Sequence, residues 1–396
     1  MAKILALPIE LRISILQELS DIRDLSAAVS SHRLLAEALR ESPTIVGRVL
    51  GNEIDPRLLP VAVTIWQMRT LRKNTKVHDE EASWSVLDEC QRTSPQEAWE
   101  YLTTVDLAEA HKYFHQLHRA IDYFTTDFIS TALDFLAIEG VLDHSPPAPS
   151  PTVVYRVQRA FYFFEFFCCL WDDGPYIVDY DRHWSMPLYI GFHPWINEQL
   201  ASVYEYLLRQ HSLAFNDVYR IPLGTGKTAD LELPDNKNTE KAFLVSRGID
   251  YVYKLTRAPT REARSRLLAA ETKPGRRFFL LDVAIEDLID SYIHERHSAR
   301  TPQFGAAYMR QLQGLTQDPD YSTYDLFLPD LGNSGPAEIW CQAHLSDDHA
   351  QWGLDFVLSK NFADERRAGY VMWDACRIPD FENFKRKKDV SNRNYH

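Results

Sequence analysis

The sequence has little cysteine, little glycine and no long apolar run. Its five cysteines are odd in number and mostly scattered, which does not suit a secreted disulfide framework and indicates a reducing intracellular compartment. Glycine supplies 15 of the 396 residues whereas aromatic residues reach 12%, a balance that favours long helices packed through aromatic side chains. No stretch reaches the ~18 apolar residues of a membrane span. We therefore expect no membrane partner.

Negative charge is in excess, because 56 Asp and Glu residues outnumber 43 Lys and Arg residues and the formal net charge is −13. Sequence-independent binding to nucleic acid depends on Lys and Arg that neutralise phosphates, so nucleic acid is not an expected partner. The start of the chain has one lysine but only a brief apolar run, which does not predict a secretory signal. A basic cluster at 385–388 has two interpretations, a solvated tail or a nuclear import signal. The predicted compartment is the cytoplasm, with nuclear entry left open.

Motifs that would indicate an enzyme are incomplete. The run Gly224-Thr225-Gly226-Lys227-Thr228 ends like a phosphate-binding loop, but the first glycine of that motif is replaced by Ile221, so a surface loop is the preferred interpretation. His294 and His297 have a possible metal-ligand spacing without a third ligand. There is no nucleophile elbow and no dinucleotide-binding motif. The sequence predicts no enzyme and no cofactor.

Three histidines form the better metal candidate. His111, His115 and His118 are spaced by four and three residues, which places them on one face of a predicted helix that Asp106 caps. Histidines at the surface or partly buried are the more common explanation of such a spacing. We therefore predict no metal, while these three residues remain the set to inspect.

The segment 7–39 contains three short helical patterns. Pro8 suits the beginning of a helix, and Glu10 places a negative charge near its positive end. Asp21 can cap the second pattern, and Pro43 ends the third. The apolar residues at helical spacing are Leu11, Ile15, Leu16 and Leu19 in the first pattern, Leu25, Ala28 and Val29 in the second, and Leu34, Leu35, Ala38 and Leu39 in the third.

This Leu-Pro-x-Glu-Leu segment resembles an F-box. The resemblance implies docking on a Skp-family adaptor protein of a cullin-type ubiquitin ligase, with an unknown client protein as the second partner. After the valine many F-boxes have a Cys and then a Trp, whereas this chain continues Ser-Ser-His-Arg. The partner-binding residues that the resemblance implies are Leu7, Pro8, Leu11, Ile15, Leu16, Leu19, Leu25 and Val29.

Further helices are predicted downstream. Ser94 with Glu97 has the spacing of a capping box, Asp127 to Leu136 is predicted to form a separate helix, and 155–171 is dense enough in aromatics for a helix buried on most sides. Trp340, Trp352 and Trp373 are predicted core anchors. The sequences PWINEQL at 194–200 and GYVMWD at 369–374 resemble segments of fungal F-box-type proteins that have no assigned chemistry.

The sequence thus predicts an all-α protein with an F-box-like three-helix unit at 1–45 and a large irregular helical body. Within that body we expect a helical region at 46–144, a proline-rich loop at 145–151, where proline precludes both helix and central strand, and a C-terminal helical domain at 152–396. The predicted function is that of a ligase substrate receptor. Two alternatives stay open: a helical scaffold whose F-box-like unit is an internal cap, and a hydrolase or metal-dependent enzyme.

Overall fold

The computed structural model confirms the all-α class. It describes residues 6–74, 89–90, 92–140, 148–171, 194–219, 244–271, 336, 339 and 363–374. Within these ranges the secondary structure consists of helices and turns, and no strand occurs. No helix in this described part combines the length and apolar character needed to cross a bilayer.

The second N-terminal helix begins where the sequence predicts, whereas the first ends at Gln17, before Leu19 of the predicted apolar stripe. Asp21 caps the second helix, because its side chain accepts a hydrogen bond from the N–H of Arg23. His32 ends that helix in an extended conformation and caps the third by accepting from the N–H of Leu34. The bounds are α1 Ile9–Gln17, α2 Ile22–Ser31, α3 Arg33–Glu41 and α4 Thr44–Glu53.

The next elements are separated by proline-containing turns. A 3-10 turn at Pro56–Leu58 leads into α5, Leu59–Asn74. The predicted capping box is confirmed at α6, Pro95–Leu102, because Ser94 accepts the N–H of Glu97 while the Glu97 carboxylate accepts the N–H of Ser94.

One continuous helical run covers 107–138. It consists of α7, Leu107–Glu109, a π-helical segment, Ala110–His115, and α8, Gln116–Ile138. Asp106 caps its start, as predicted. The prediction of a separate helix from Asp127 is wrong. The preceding residues include no glycine or proline, so nothing in the backbone stops the helix there.

The remaining helices are mostly long. The aromatic segment forms α9, and 16 of its residues, Val153 and 155–169, are buried, which confirms the predicted buried helix. The helix that begins at Pro194 extends to Tyr219. The bounds are α9 Pro151–Trp171, α10 Pro194–Tyr219, α11 Ile249–Arg257, α12 Arg261–Glu271 and α13 Ala363–Arg367, followed by a 3-10 turn at Tyr370–Met372.

The chain divides into two compact units. Unit 1 contains 1–123 and 165–175, and unit 2 contains 124–164 and 176–396. In unit 1, α1 packs on α3 and α4, and α2 packs on α3, α4 and the π segment. In unit 2, the rings of Phe128 and Phe161 meet Tyr206 edge-on at the core, and α10 packs on α11, α12 and α13. The predicted domain boundary at the proline-rich loop stays a prediction.

Candidate functional site

The outer face of α1 is the first candidate site. Leu11 and Ile15 have 50% and 39% of their surface exposed. They are four residues apart, so their side chains lie on the same face of the helix. Pro8, just before α1, is exposed and Leu7 is half-buried. This end of unit 1 therefore presents apolar side chains to solvent.

The other predicted partner-binding residues face inward or lie at the edge. Leu16 is 2% exposed and Leu25 is fully buried, so both contribute to the core of unit 1. Leu19 and Val29 are half-buried. The predicted stripe is thus divided between the core of the unit and its surface.

Hydrogen bonds connect the segment between α1 and α2 to the end of α4. The side-chain amide of Asn52 donates to the carbonyl oxygens of Gln17 and Leu19, at 2.9 Å and 3.0 Å. The N–H of Ile22 donates to Glu53 Oε2 at 3.2 Å. These bonds fix the start of α2 against α4.

A cluster of ionisable side chains lies at this junction and forms the second candidate site. His115 Nδ1 lies 2.6 Å from Glu53 Oε1 and 3.6 Å from Asp21 Oδ1. Since a carboxylate only accepts, Nδ1 carries the hydrogen and donates it to Glu53. The possible ligand atoms of Asp21, Glu53 and His115 all lie within 4.8 Å of one another. These three residues could hold a divalent cation.

The surroundings of this cluster favour charge on His115. The hydrogen bond to Glu53 raises the pKa of His115 against the opposing effect of burial, and the Asp21 carboxylate acts in the same direction as Glu53 while the nearby Arg119 opposes it. Burial lowers the pKa of His118. The His111 and His115 rings lie 5.3 Å apart between centroids. His115 is the last residue of the π segment, a rare turn type that occurs often at functional sites.

Unit 2 contains a different cluster, which is enclosed. Arg366 donates to Glu198 at 2.7 Å and to Glu205 at 2.6 Å. Arg156 donates to Asp374 at 2.9 Å. In this group each carboxylate has a guanidinium partner, as buried charges require.

Amide groups extend this enclosed cluster. Gln199 accepts from Arg159 at 2.9 Å and donates to the carbonyl oxygen of Val371 at 2.8 Å. Ser150 donates to Asp374 at 2.6 Å. The cluster therefore joins α9, α10 and the segment 363–374 into one polar network.

The expectation that the three candidate histidines are at the surface or partly buried is wrong for two of them. His115 and His118 are buried, and His111 is half-buried. The histidines do not act as one set, because His115 instead meets Asp21 and Glu53. Sequence reasoning identified Asp21 only as a helix cap. It gave no sign of Glu53, which is 62 residues from His115.

Several other sequence candidates lie outside the described residues. These are the loop at 223–228, the pair His294 and His297, the basic cluster at 385–388, and Trp340 and Trp352. Trp373 is confirmed as a core anchor, since it is 2% exposed and its Nε1 donates to the carbonyl oxygen of Ala368. Cys168 and Cys169 are buried within α9.

Comparison of the chain with protein-family models, with curated proteins and with solved structures gives no match.

Proposed function

We propose that this chain is the substrate-receptor subunit of a cullin-type ubiquitin ligase and binds a Skp-family adaptor through its N-terminal helices. The observation that carries this proposal is the exposure of Leu11 and Ile15 on α1. In the described part of α1–α4 the other large apolar side chains are buried or half-buried. An apolar face left outside an otherwise closed core is a mark of a partner site.

The energetic contribution of this face is substantial for its size. Full burial of a Leu or Ile side chain contributes roughly 1.5–3 kcal/mol. Leu11 and Ile15 are 50% and 39% exposed, so a partner that covers them gains the corresponding fraction of this energy. The F-box resemblance of 7–39 supports an adaptor as the protein that covers it.

The test uses the full chain and a purified Skp-family adaptor. A Leu11→Asp, Ile15→Asp variant puts charge in the exposed face without changing the core, so its helical content and unfolding temperature should stay near those of the wild type. Titration calorimetry should show at least a tenfold loss of affinity, which corresponds to ~1.4 kcal/mol.

A matched control is available in the same chain. Ile138 and Leu213 are 79% and 68% exposed on α8 and α10. An Ile138→Asp, Leu213→Asp variant removes apolar surface elsewhere that is even more exposed than Leu11 and Ile15, and it should bind the adaptor as the wild type does. No binding by the wild type, or equal loss in both variants, would contradict the proposal.

In this proposal the rest of the chain holds the client protein while other subunits transfer ubiquitin. The assembled complex should then ubiquitinate a bound client only when the adaptor is present. The Leu11→Asp, Ile15→Asp variant should still hold that client but should not support its ubiquitination.

One observation favours a second candidate, a helical scaffold in which α1–α3 cap the chain's own core. Leu16 and Leu25 are buried within unit 1, and Asn52 and Glu53 hydrogen-bond to the connection between α1 and α2. A scaffold would not bind the adaptor. The same titration therefore separates the two candidates.

A further inference from the structure

We propose that Asp21, Glu53 and His115 form a binding site for a divalent first-row transition metal ion, to which we assign Zn²⁺. The site does not depend on the adaptor-binding function proposed above, because it uses none of the exposed residues of α1. It would connect the start of α2, the end of α4 and the π segment.

The chemistry of the donor atoms fits zinc. One imidazole nitrogen and two carboxylate oxygens are ordinary zinc ligands, whereas Mg²⁺ and Ca²⁺ prefer oxygen alone. The two carboxylates also supply the negative charge that balances a divalent ion. Among first-row ions, Zn²⁺ accepts the low coordination number that three ligands and one water provide.

The distances are close to those that zinc requires. With bonds of roughly 2.0–2.2 Å, ligand atoms around a tetrahedral zinc lie about 3.4 Å apart. His115 Nδ1 and Asp21 Oδ1 are already separated by 3.6 Å. His115 Nδ1 and Glu53 Oε1 are 2.6 Å apart, as a hydrogen-bonded pair. When the ion takes the place of the proton on Nδ1, this separation opens by a fraction of an ångström.

The local structure holds the ligands in place and leaves a path for the ion. Glu53 Oε2 accepts the N–H of Ile22 and Asp21 caps α2, so both carboxylates are oriented by the backbone. Such supporting bonds are a regular feature of metal sites. The Asp21 side chain is 29% exposed whereas the His115 side chain is 5% exposed. An ion can therefore enter from the Asp21 side, where water would take the fourth position.

The test is a titration of the untagged full chain, freed of metal, with Zn²⁺ by calorimetry and with Co²⁺ by visible absorption. We expect one ion per chain, with cobalt bands typical of low coordination by nitrogen and oxygen. Zn²⁺ should raise the unfolding temperature, and a chelator should reverse that rise. Because a single ion would close two long loops of chain, the stabilisation should be readily measured.

Variants of the three ligands should weaken binding while the chain stays folded. Glu53→Gln keeps the acceptor for Ile22, His115→Gln keeps a polar group in the buried position, and Asp21→Asn keeps the helix cap. Loss of an outer partner in a metal site costs 10–100-fold in affinity, so loss of a ligand should cost on the order of 100-fold. Asp21 is the most exposed of the three, so its variant remains informative even if the other two fail to fold.

Matched controls remove similar groups that lie outside the site. Asp24→Asn changes an exposed carboxylate on the same helix, and His32→Asn removes an imidazole but keeps a capping residue. Both should bind Zn²⁺ as the wild type does. The proposal is overturned if the wild type binds no Zn²⁺ or Co²⁺, or if binding survives in all three ligand variants. In either case Asp21, Glu53 and His115 would be an ion pair and a helix cap only.

Discussion

The two units handle charged side chains in opposite ways. In unit 2, Arg366 lies between Glu198 and Glu205, and Arg156 contacts Asp374, so these carboxylates are matched by cations that never deprotonate. In unit 1, two carboxylates converge on one histidine, with the side of Asp21 open to solvent. In the first arrangement each of these carboxylates contacts a guanidinium group, whereas in the second two carboxylates share one imidazole.

This difference separates a structural role from a binding role. A buried pair that is fully matched specifies how helices fit together, and it gains nothing from a ligand. Two carboxylates that lie beside one imidazole on a partly open side repel each other, and a bound cation would relieve that repulsion. The difference therefore supports a structural role for the cluster of unit 2 and the metal site proposed for the cluster of unit 1.

The largest expected effect follows from breaking the matched cluster. Arg366→Met leaves Glu198 buried without its cation, which costs about 3–5 kcal/mol of unfolding free energy. The measurement is urea unfolding above pH 7, where Glu198 carries its charge. The control is Arg33→Met, which breaks an exposed pair with Glu37 and should cost at most about 0.5 kcal/mol. Equal effects in the two variants would show that the cluster of unit 2 is not structural.

The next largest effect is expected at Gly369, which begins the turn that places Asp374 in the cluster of unit 2. Gly369 has φ +63°, and an added Cβ would lie 3.2 Å from the Phe128 ring. Gly369→Ala should therefore cost roughly 1–2 kcal/mol. Gly51→Ala is the control, because its Cβ would meet Trp99 at an ordinary 3.6 Å and alanine favours a helix by up to about 1 kcal/mol. Thermal unfolding should move in opposite directions for the two variants.

Another effect of the same cluster depends on pH. Burial raises the pKa of Glu198 to about 7 although Arg366 acts in the opposite direction. The folded chain then holds a proton that the unfolded chain releases near 4.5. This contribution to stability is complete below pH 4.5 and is lost as the pH rises through about 7.

The Glu198→Gln variant has no ionisable group at this position. Its comparison with the wild type therefore isolates the contribution of Glu198 to the pH dependence of stability. The stability of the wild type minus that of Glu198→Gln should fall by up to ~1.4 kcal/mol per pH unit across this window. The measurement is the unfolding free energy of both proteins at each end of the window. A constant difference would mean that Glu198 is ionised throughout.

The smallest expected effect concerns the cluster of Asp21, Glu53 and His115 in unit 1. Asp21→Asn keeps a good capping residue and removes one of the two carboxylates beside His115. In the absence of metal, relief of repulsion with Glu53 should offset the lost attraction, so stability should change by less than about 1 kcal/mol. Asp106→Asn, a cap outside the cluster, shows the effect of the charge at a helix start alone. A loss of several kcal/mol for Asp21→Asn would indicate an ion pair that is already balanced.

Local chemistry explains which parts of the fold could be predicted. Asp21, Asp106 and the pair Ser94 with Glu97 satisfy backbone N–H groups within three residues of themselves, so their spacing in sequence determines the helix starts. Asp127 can cap a helix, which is why the sequence predicts a new helix there. The helix continues through Asp127 instead, because no glycine or proline before it stops the helix. The π segment has no sequence pattern of its own.

Neither charged cluster could be predicted, because both depend on distant residues. Glu53 and His115 are 62 residues apart, and Glu198 and Arg366 are 168 apart. The helical spacing of the apolar residues on α1 also does not predict which of them are buried. In the structure Leu16 faces the core, whereas Leu11 and Ile15 face solvent. That distinction depends on where α3 and α4 pack against α1.

The pairing of Arg156 with Asp374 has a consequence for synthesis of the chain. The two residues are separated by 218 positions, so Arg156 leaves the ribosome long before its carboxylate is made. At about 5–20 residues per second the delay is roughly 10–40 s. During that time the polar side chains of α9 cannot be enclosed as they are in the finished molecule. Unit 2 is therefore expected to complete its folding late, and a nascent chain of this protein is a natural client for chaperones.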